Sequence, residues 1–433
     1  MRSCPQAHSP RSRPRLEPAR RLLLASLSAT LLAGAAAAES GSDWHQFRGP
    51  ERNGISPETG LVASWPEDGP RELLRRPIGE GYSAPSVVGD RFYLLYADPG
   101  DAENPRERAA AFDAESGEEL WNTEFDDRIE TEYGNGPRST PAVLDGKLYA
   151  LGSHGKVAAF DAESGERLWL YDAVEALGGS VPTWGFSSSP LVEKGLVVVE
   201  LGLPGENAYL ALNAVDGSVA WTTGTTTRAG YNSALAVDLE GRRQLVYVVE
   251  GQVRGIDFEG NELWSHPWPR GESHSMPIFV SPNQIYASGA EGVGAAVLRI
   301  SPSSEGGGLA AQEVWSGSHM KNHFSSSLVL DGHLYGFDNA TLKCLDVATG
   351  ELRWAKRGYG KGSLIAADGA LYVLTDRGRL VQVRATPEGF EEMGRVQALD
   401  GRTWTAPVLS RGQLFLRSHS EVVVYDLRGG EGS

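Results

Sequence analysis

The chain has 433 residues, of which 40 % are hydrophobic and 22 % charged, a composition that folds and is not that of a disordered chain. With 53 glycines and 24 prolines against 4 methionines, it favours many short strands joined by turns. A formal net charge of −16 repels phosphate backbones and anionic lipid, which sets nucleic-acid and membrane-surface binding aside.

Residues 1–38 hold six arginines against one glutamate, so the remainder is more acidic still, at −21. Arg20 and Arg21 precede an uncharged apolar run, Leu22 to Ala38, that ends in Ala36-Ala37-Ala38-Glu39. This pattern reads as a cleavable secretory signal peptide over 1–38, and the run is short for a membrane span. Arg20-Arg21-Leu22-Leu23 also matches part of a twin-arginine signal, with Ala19 in place of the usual polar residue. No cysteine follows the run, so no lipid anchor is expected. The mature protein should be periplasmic or secreted, without membrane insertion. Cys4 falls in the leader, which leaves Cys344 as a single thiol and no internal disulfide.

From residue 111 onward one string recurs. It reads AFDAESGEELW at 111–121, AFDAESGERLW at 159–169, ALNAVDGSVAW at 211–221, GIDFEGNELW at 255–264 and CLDVATGELRW at 344–354, with a worn copy ending at Trp315. The six tryptophans (121, 169, 221, 264, 315 and 354) lie 48, 52, 43, 51 and 39 residues apart, a spacing that signals a propeller or solenoid. Alternating apolar residues make a strand, the Ser-Gly or Thr-Gly pair reverses it, and the next strand ends on an indole that needs a neighbouring unit to bury it. A second string fills the gaps: SAPSVVGDRFY at 83–93 and seven further copies, the last at 405–415. Each is a strand, a tight turn and a strand. Residues 303–308 read as a loop insertion in a degenerate copy.

Eight four-stranded units without linkers predict an all-β fold, an eight-bladed β-propeller of four-stranded antiparallel blades. The eighth unit supplies three strands, at about 405–409, 413–418 and 421–426, and residues 73–78 are an orphan strand with no unit before them. Pairing the two closes the ring and removes exposed edges. Pro77 suits an outermost strand, where a missing N–H is tolerated. The expected organisation is a leader (1–38), an N-terminal extension packing on the propeller (39–72), the propeller (73–427) and a short tail (428–433).

The repeat core A-x-D-x-x-[TS]-G-x-x-x-W resembles the pyrroloquinoline quinone (PQQ) enzyme repeat over roughly residues 44–427. That resemblance implies the fold and leaves the function divided. The same repeat serves quinoprotein dehydrogenases and cofactor-free scaffolds, including the propeller subunit of the outer-membrane barrel-assembly machinery. Trp44-His45-Gln46-Phe47-Arg48-Gly49-Pro50, Gly360-Lys361-Gly362-Ser363 and Thr403-Trp404-Thr405-Ala406-Pro407 are similar to segments of uncharacterised secreted PQQ-like propellers. The dehydrogenases carry an adjacent-cysteine disulfide and a Glu/Asn/Asp calcium site. This chain cannot form the first, and the second is not traceable in it.

Aligning the eight strand pairs exposes the position three residues before Pro85 and its equivalents. It holds Tyr82, Arg138, Ser187, Tyr231, His274, Phe324, Lys361 and Trp404, seven of them aromatic or basic. Because the first strand of each blade lines a propeller's channel, these residues are expected to form a ring at one mouth. Trp184 and His323 stand beside it, with Asn135, Asn232, Lys321 and Asn322 as further neighbours. The candidate ligand site is therefore Tyr82, Arg138, Trp184, Tyr231, His274, His323, Lys361 and Trp404, suited to an anionic or planar ligand. The competing reading is that these rings only pack blade against blade.

Other signals are weaker. His319 and His323 are four apart but lack a third ligand, so no metal site is expected. The acidic turns lack the alternating ligands of a calcium loop. Ser187–Ser189 and Ser325–Ser327 have no paired base, and Cys344 aligns with Ala111 and Ala159, which predicts a buried, inert thiol. The expectation is a monomeric, non-catalytic periplasmic scaffold for a protein or polysaccharide partner, with no cofactor. The alternative is a PQQ- and calcium-dependent alcohol or sugar dehydrogenase, in which a carboxylate takes the hydroxyl proton as hydride moves to the quinone.

Overall fold

The computed structural model describes residues 43–98, 105–226, 229, 231–249, 251–271, 273–290, 292–304 and 306–429. The leader expected over 1–38 and its expected cleavage site lie outside these residues. Among the described residues, no helix is long and apolar enough to cross a membrane; a short helix spans Ala173–Leu177.

The described strands form eight four-stranded antiparallel sheets. Blade 1 is Ser86–Val88, Arg91–Ala97, Arg106–Asp113 and Glu119–Asp127. Blades 2 to 7 follow at 142–172, 191–223, 235–267, 278–317, 328–357 and 363–397, each in simple chain order. Blade 8 takes Val408–Ser410, Gln413–Arg417 and Glu421–Asp426 from the end of the chain and its outermost strand, Arg71–Pro77, from the beginning. Arg71 pairs with Asp426 and Pro77 with Glu421. The ring is thus closed by the strand that the sequence left without a unit, and Pro77 sits on an edge.

The first hairpin of six blades turns through two residues of positive φ, as at Asp145 (50°) and Gly146 (71°). This is the twist-matched type I′ geometry that Asp-Gly favours. The innermost strands are shorter than expected, three residues in most blades, and begin after the proline position: Val408, not Thr405. Proline offers no N–H to a ladder, and the residue before it bonds sideways. Ala84 N–H donates to Thr140 Oγ1 (3.1 Å), Thr140 N–H to Ser189 Oγ (3.0 Å), Ser189 N–H to Ser233 Oγ (2.8 Å) and Met276 N–H to Ser326 Oγ (2.9 Å). The hydroxyls of Thr140, Ser189, Ser233 and Ser326, each one residue before the proline position of its blade, form a blade-to-blade clasp around the channel.

The core lies between blades. Seven apolar clusters each fill the gap between neighbours, and the largest joins blades 7, 8 and 1 through Leu374, Phe415 and Phe92. The repeat tryptophans lock the outer edges. Trp121 Nε1 donates to Ala162 O of the next blade (3.1 Å), Trp169 to Ala214 (3.2 Å), Trp221 to Phe258 (2.7 Å), Trp315 to Val347 (2.8 Å) and Trp354 to Thr386 (2.8 Å). Each of the first four indoles also lies flat on the turn glycine of that blade. A Cβ at Gly165 would stand 2.5 Å from Trp121, and one at Gly217 2.7 Å from Trp169. Trp264 departs from the pattern and donates to Gln244 Oε1 of its own blade (2.6 Å), because the next blade carries the 303–308 insertion where the glycine turn would be. On the closing strand, Leu74 takes the indole's place over Gly117.

Residues 43–62 run across the channel on the downstream side of the innermost strands. Trp44 bridges Val87 of blade 1, His45 O accepts from Val143 N–H of blade 2, and Ile55 bridges Ala366 of blade 7. Two buried arginines fasten this segment. Arg52 donates to Ala234 O (2.9 Å), Pro190 O (3.1 Å) and Ser189 O (3.2 Å), and Arg48 to Ser326 O (3.1 Å) and Ser327 O (2.5 Å). Carbonyls rather than carboxylates hold both guanidiniums. Burial therefore lowers Arg52 to about 9 and Arg48 to about 10.

Candidate functional site

The ring residues occupy the loops that lead into the innermost strands, about five residues upstream of the level reached by the 43–62 segment. All eight candidates, Tyr82, Arg138, Trp184, Tyr231, His274, His323, Lys361 and Trp404, line one cavity of about 370 Å³. Phe324 and Ser187 of the aligned position line it as well, and Phe47 of the crossing segment reaches it from below.

Its wall is a closed circuit of rings. Successive centroids run from Trp404 to Tyr133 (6.0 Å), Trp184 (6.1 Å), Tyr231 (5.5 Å), His274 (5.3 Å), His323 (5.5 Å), Phe324 (5.2 Å) and back to Trp404 (4.8 Å). Most of these contacts are edge-to-face or tilted, the arrangement aromatic quadrupoles favour. Tyr82 stacks on Trp404 at 5.5 Å and donates its hydroxyl to Tyr133 O at 2.5 Å, which ties the 131–136 loop to the rim. Tyr231 holds a left-handed φ of 61°, an unusual backbone for an aromatic residue and a local strain at the cavity wall.

Two cations belong to the wall. Arg138 lies over the Tyr82 ring (5.8 Å) and donates to Thr131 Oγ1 (2.9 Å), Gly134 O (3.1 Å) and Gly136 O (3.1 Å). Burial lowers its pKa, opposed by Tyr82 and Glu107. Lys361 anchors its backbone N–H on Asp376 Oδ2 (3.3 Å), and its ammonium forms no ion pair among the described residues. At the rim, Arg402 covers Trp404 (4.5 Å). The remaining polar groups include the hydroxyls of Thr140, Ser189, Ser233 and Thr405. Among the described residues lining the cavity there is no aspartate, glutamate, asparagine or glutamine. In a chain with 56 acidic residues, that exclusion sets the electrostatic character of the site.

Four expected neighbours sit elsewhere. Asn135 turns to Glu80 (3.2 Å), Lys321 pairs with Asp338 (3.7 Å), Asn322 is buried on Phe337 O (2.9 Å), and the buried Asn232 donates to Val248 O. His319 is exposed in a separate surface hollow beside Trp315, so it does not join His323. Among the described residues no cluster of three His, Cys, Asp or Glu could hold a metal. Cys344 is fully buried in blade 6, where burial pushes its thiol up to about 11. Sequence reasoning missed Tyr133 and Phe47. Both come from segments outside the repeat, where register gives no guide.

Residues 105–356 match the family model PQQ_2, outer membrane protein assembly factor BamB. A search of curated proteins found no match. Among solved structures, BamB from Moraxella catarrhalis superposes with a TM-score of 0.61 at 15 % identity, covering 84 % of this chain and 99 % of that one. Quinohemoprotein alcohol dehydrogenase from Comamonas testosteroni gives 0.63 at 13 %, covering 92 % and 82 %. A europium-containing methanol dehydrogenase gives 0.53 at 13 %, covering 89 % and 98 %. At such identities the likeness shows the fold.

Proposed function

The chain belongs to the PQQ_2 family, outer membrane protein assembly factor BamB, and on that premise we propose that it is an exported, periplasmic, monomeric propeller that recognises a partner through its aromatic channel mouth and performs no catalysis. The observation that carries this reading is the cavity itself, a closed circuit of rings with two cations and, among the described residues, no carboxylate. Aromatic walls with a few fixed polar groups are the usual make-up of a recognition pocket. Protein is the partner class that the family description supports, and a polysaccharide is the other class that stacking rings suit.

The dehydrogenase reading needs a calcium ion and a base. Calcium takes six to eight oxygen ligands, carboxylates prominent among them, and the described lining offers none. Nor do the described lining residues include a carboxylate to take a substrate proton. These residues do not fit the quinone–calcium pair.

Site-specific photo-crosslinking tests the proposal. A photoreactive phenylalanine at Tyr133, which is 43 % exposed at the mouth, should capture a discrete protein in cells that express and export the chain. The same probe at Glu58, on the opposite face, should not. Equal capture at both positions, or none at Tyr133, refutes it. Dye-linked alcohol oxidation after addition of PQQ and calcium would establish the dehydrogenase instead.

A further inference from the structure

We propose that the cavity takes the C-terminus of a polypeptide end-on, with its terminal carboxylate beside Lys361 and Arg138 and its last, apolar side chain inside the aromatic circuit; this rests on the recognition reading above.

Three observations converge on a chain end. The first is that the channel is stopped. The segment 43–62 is hydrogen-bonded across blades 1, 2, 3, 4, 6 and 7 below the ring, and Phe47 meets the cavity from that side. An internal stretch of polymer would need an exit, and a terminus needs none. The volume agrees. About 370 Å³ is the liquid volume of about a dozen waters, enough for a large side chain and its terminal group and too little for both arms of a loop.

The second is the sign of the charge. Lys361 lines the cavity without an ion-pair partner among the described residues, Arg138 is bonded to carbonyls and a hydroxyl, and the described lining holds no acid, Glu107 and Glu132 acting on Arg138 from outside it. An N-terminal ammonium is repelled there, and a carboxylate is attracted. The third is the kind of polar group present. A sugar acid would also bring an anion, but its ring hydroxyls call for planar side chains that donate and accept in pairs, and the described lining has no Asp, Glu, Asn or Gln. Rings and single hydroxyls suit an apolar side chain with one charged end.

The test uses the purified chain and hexapeptides Ala-Ala-Gly-Ala-Ser-X, with X aromatic or aliphatic, each as free acid and as C-terminal amide. Binding is read by calorimetry and by quenching of tryptophan fluorescence. At least one free acid should bind, and its amide at least about tenfold more weakly, the loss of one charge-assisted contact. K361M should bring the free acid down to the affinity of the amide and leave the amide unchanged. A glucuronic acid-terminated tetrasaccharide is the comparison. Equal binding of acid and amide, binding of neither, or tighter binding of the glucuronide overturns the inference. The acid–amide comparison needs no variant, so a misfolded mutant does not decide it. If the crosslink at Tyr133 forms while acid and amide bind alike, the end-on inference fails and the recognition reading stands.

Discussion

Two glycines of blade 2 separate backbone strain from blade-to-blade packing. Gly146 (φ 71°) and Gly165 (φ 75°) share a left-handed conformation, but a Cβ at Gly146 meets nothing within 4 Å, whereas one at Gly165 lies 2.5 Å from the Trp121 ring. G146A should therefore cost only the left-handed penalty, about 1–2 kcal/mol. G165A adds the displacement of an indole that is also bonded to Ala162 O. Overpacking of that kind costs about 1–3 kcal/mol more, for a total of about 2–5 kcal/mol. Urea denaturation midpoints measured side by side give the difference. W121A should rescue part of the G165A defect, with a coupling of about 1–3 kcal/mol, since in its absence the new methyl has room. Equal midpoints for the two alanine variants, or strict additivity of G165A and W121A, would show that the tryptophan-on-glycine contact is not what joins the blades.

Three further outcomes are expected. Glu107 is buried beside Asp126, and burial, with Asp126 second, raises its carboxyl from 4.5 to about 8. The folded state then keeps a proton that the unfolded chain has lost, so this site's contribution to stability falls as pH rises from 4.5 to about 8. E107Q should be more stable than the wild type at pH 9, by on the order of 4 kcal/mol, with the gain gone by pH 5; thermal melts at both values check this, and a gain that is independent of pH refutes it. R52M leaves the carbonyls of Ala234, Pro190 and Ser189 without their donor, which should cost about 2–4 kcal/mol and make residues 43–62 the first site of limited proteolysis; an unchanged cleavage pattern would refute the fastening role. Cys344, buried and with its thiol pushed up to about 11, should resist alkylation at pH 8 in the native protein and react fully in urea, as peptide mapping would show.

The fold was legible because each unit writes its own contacts into sequence. Aspartate at the turn accepts from the next backbone N–H groups, as Asp113 Oδ1 does from Ser116 (2.7 Å), glycine admits the positive φ, and tryptophan reaches the following unit. These recur in five copies and a worn sixth, and the strand–turn–strand string between them recurs eight times, so eight units and an orphan strand could be counted. The innermost strands were read too long, since Thr405 looks extended but spends its hydroxyl on Tyr82 O of the neighbouring blade, and the next position donates its N–H sideways, as Ala84 does to Thr140. The cavity residues were legible for the same reason as the fold: one register position, three before the proline, faces one place in every blade. Where register ends, so does legibility. Tyr133 lies in an irregular loop that Arg138 holds by three hydrogen bonds, and Phe47 in a segment whose partners are far away in sequence. Nothing in the sequence marks carbonyls from distant blades as the partners of the Arg48 and Arg52 guanidiniums.

The separation of charge within this chain bears on what its channel can select. The acidic side chains of the repeat turns, such as Glu115 and Glu163, are exposed on the outside, where an ionic atmosphere of about 8 Å at physiological salt screens them from one another and from the channel. Lys361 and Arg138 are partly buried in the cavity wall, where screening is weaker and a charge acts over the whole width of the site. Net charge therefore says little about the preference of the pocket: on the proposed reading, the molecule repels anions at a distance and favours them on contact. Such an arrangement discriminates by fit rather than by attraction, because only a ligand that reaches the rings feels the cations behind them. The crossing segment sharpens that choice. On that reading, the segment's hydrogen bonds across the channel exclude ligands that would need to pass through and leave those that enter, stack and stop.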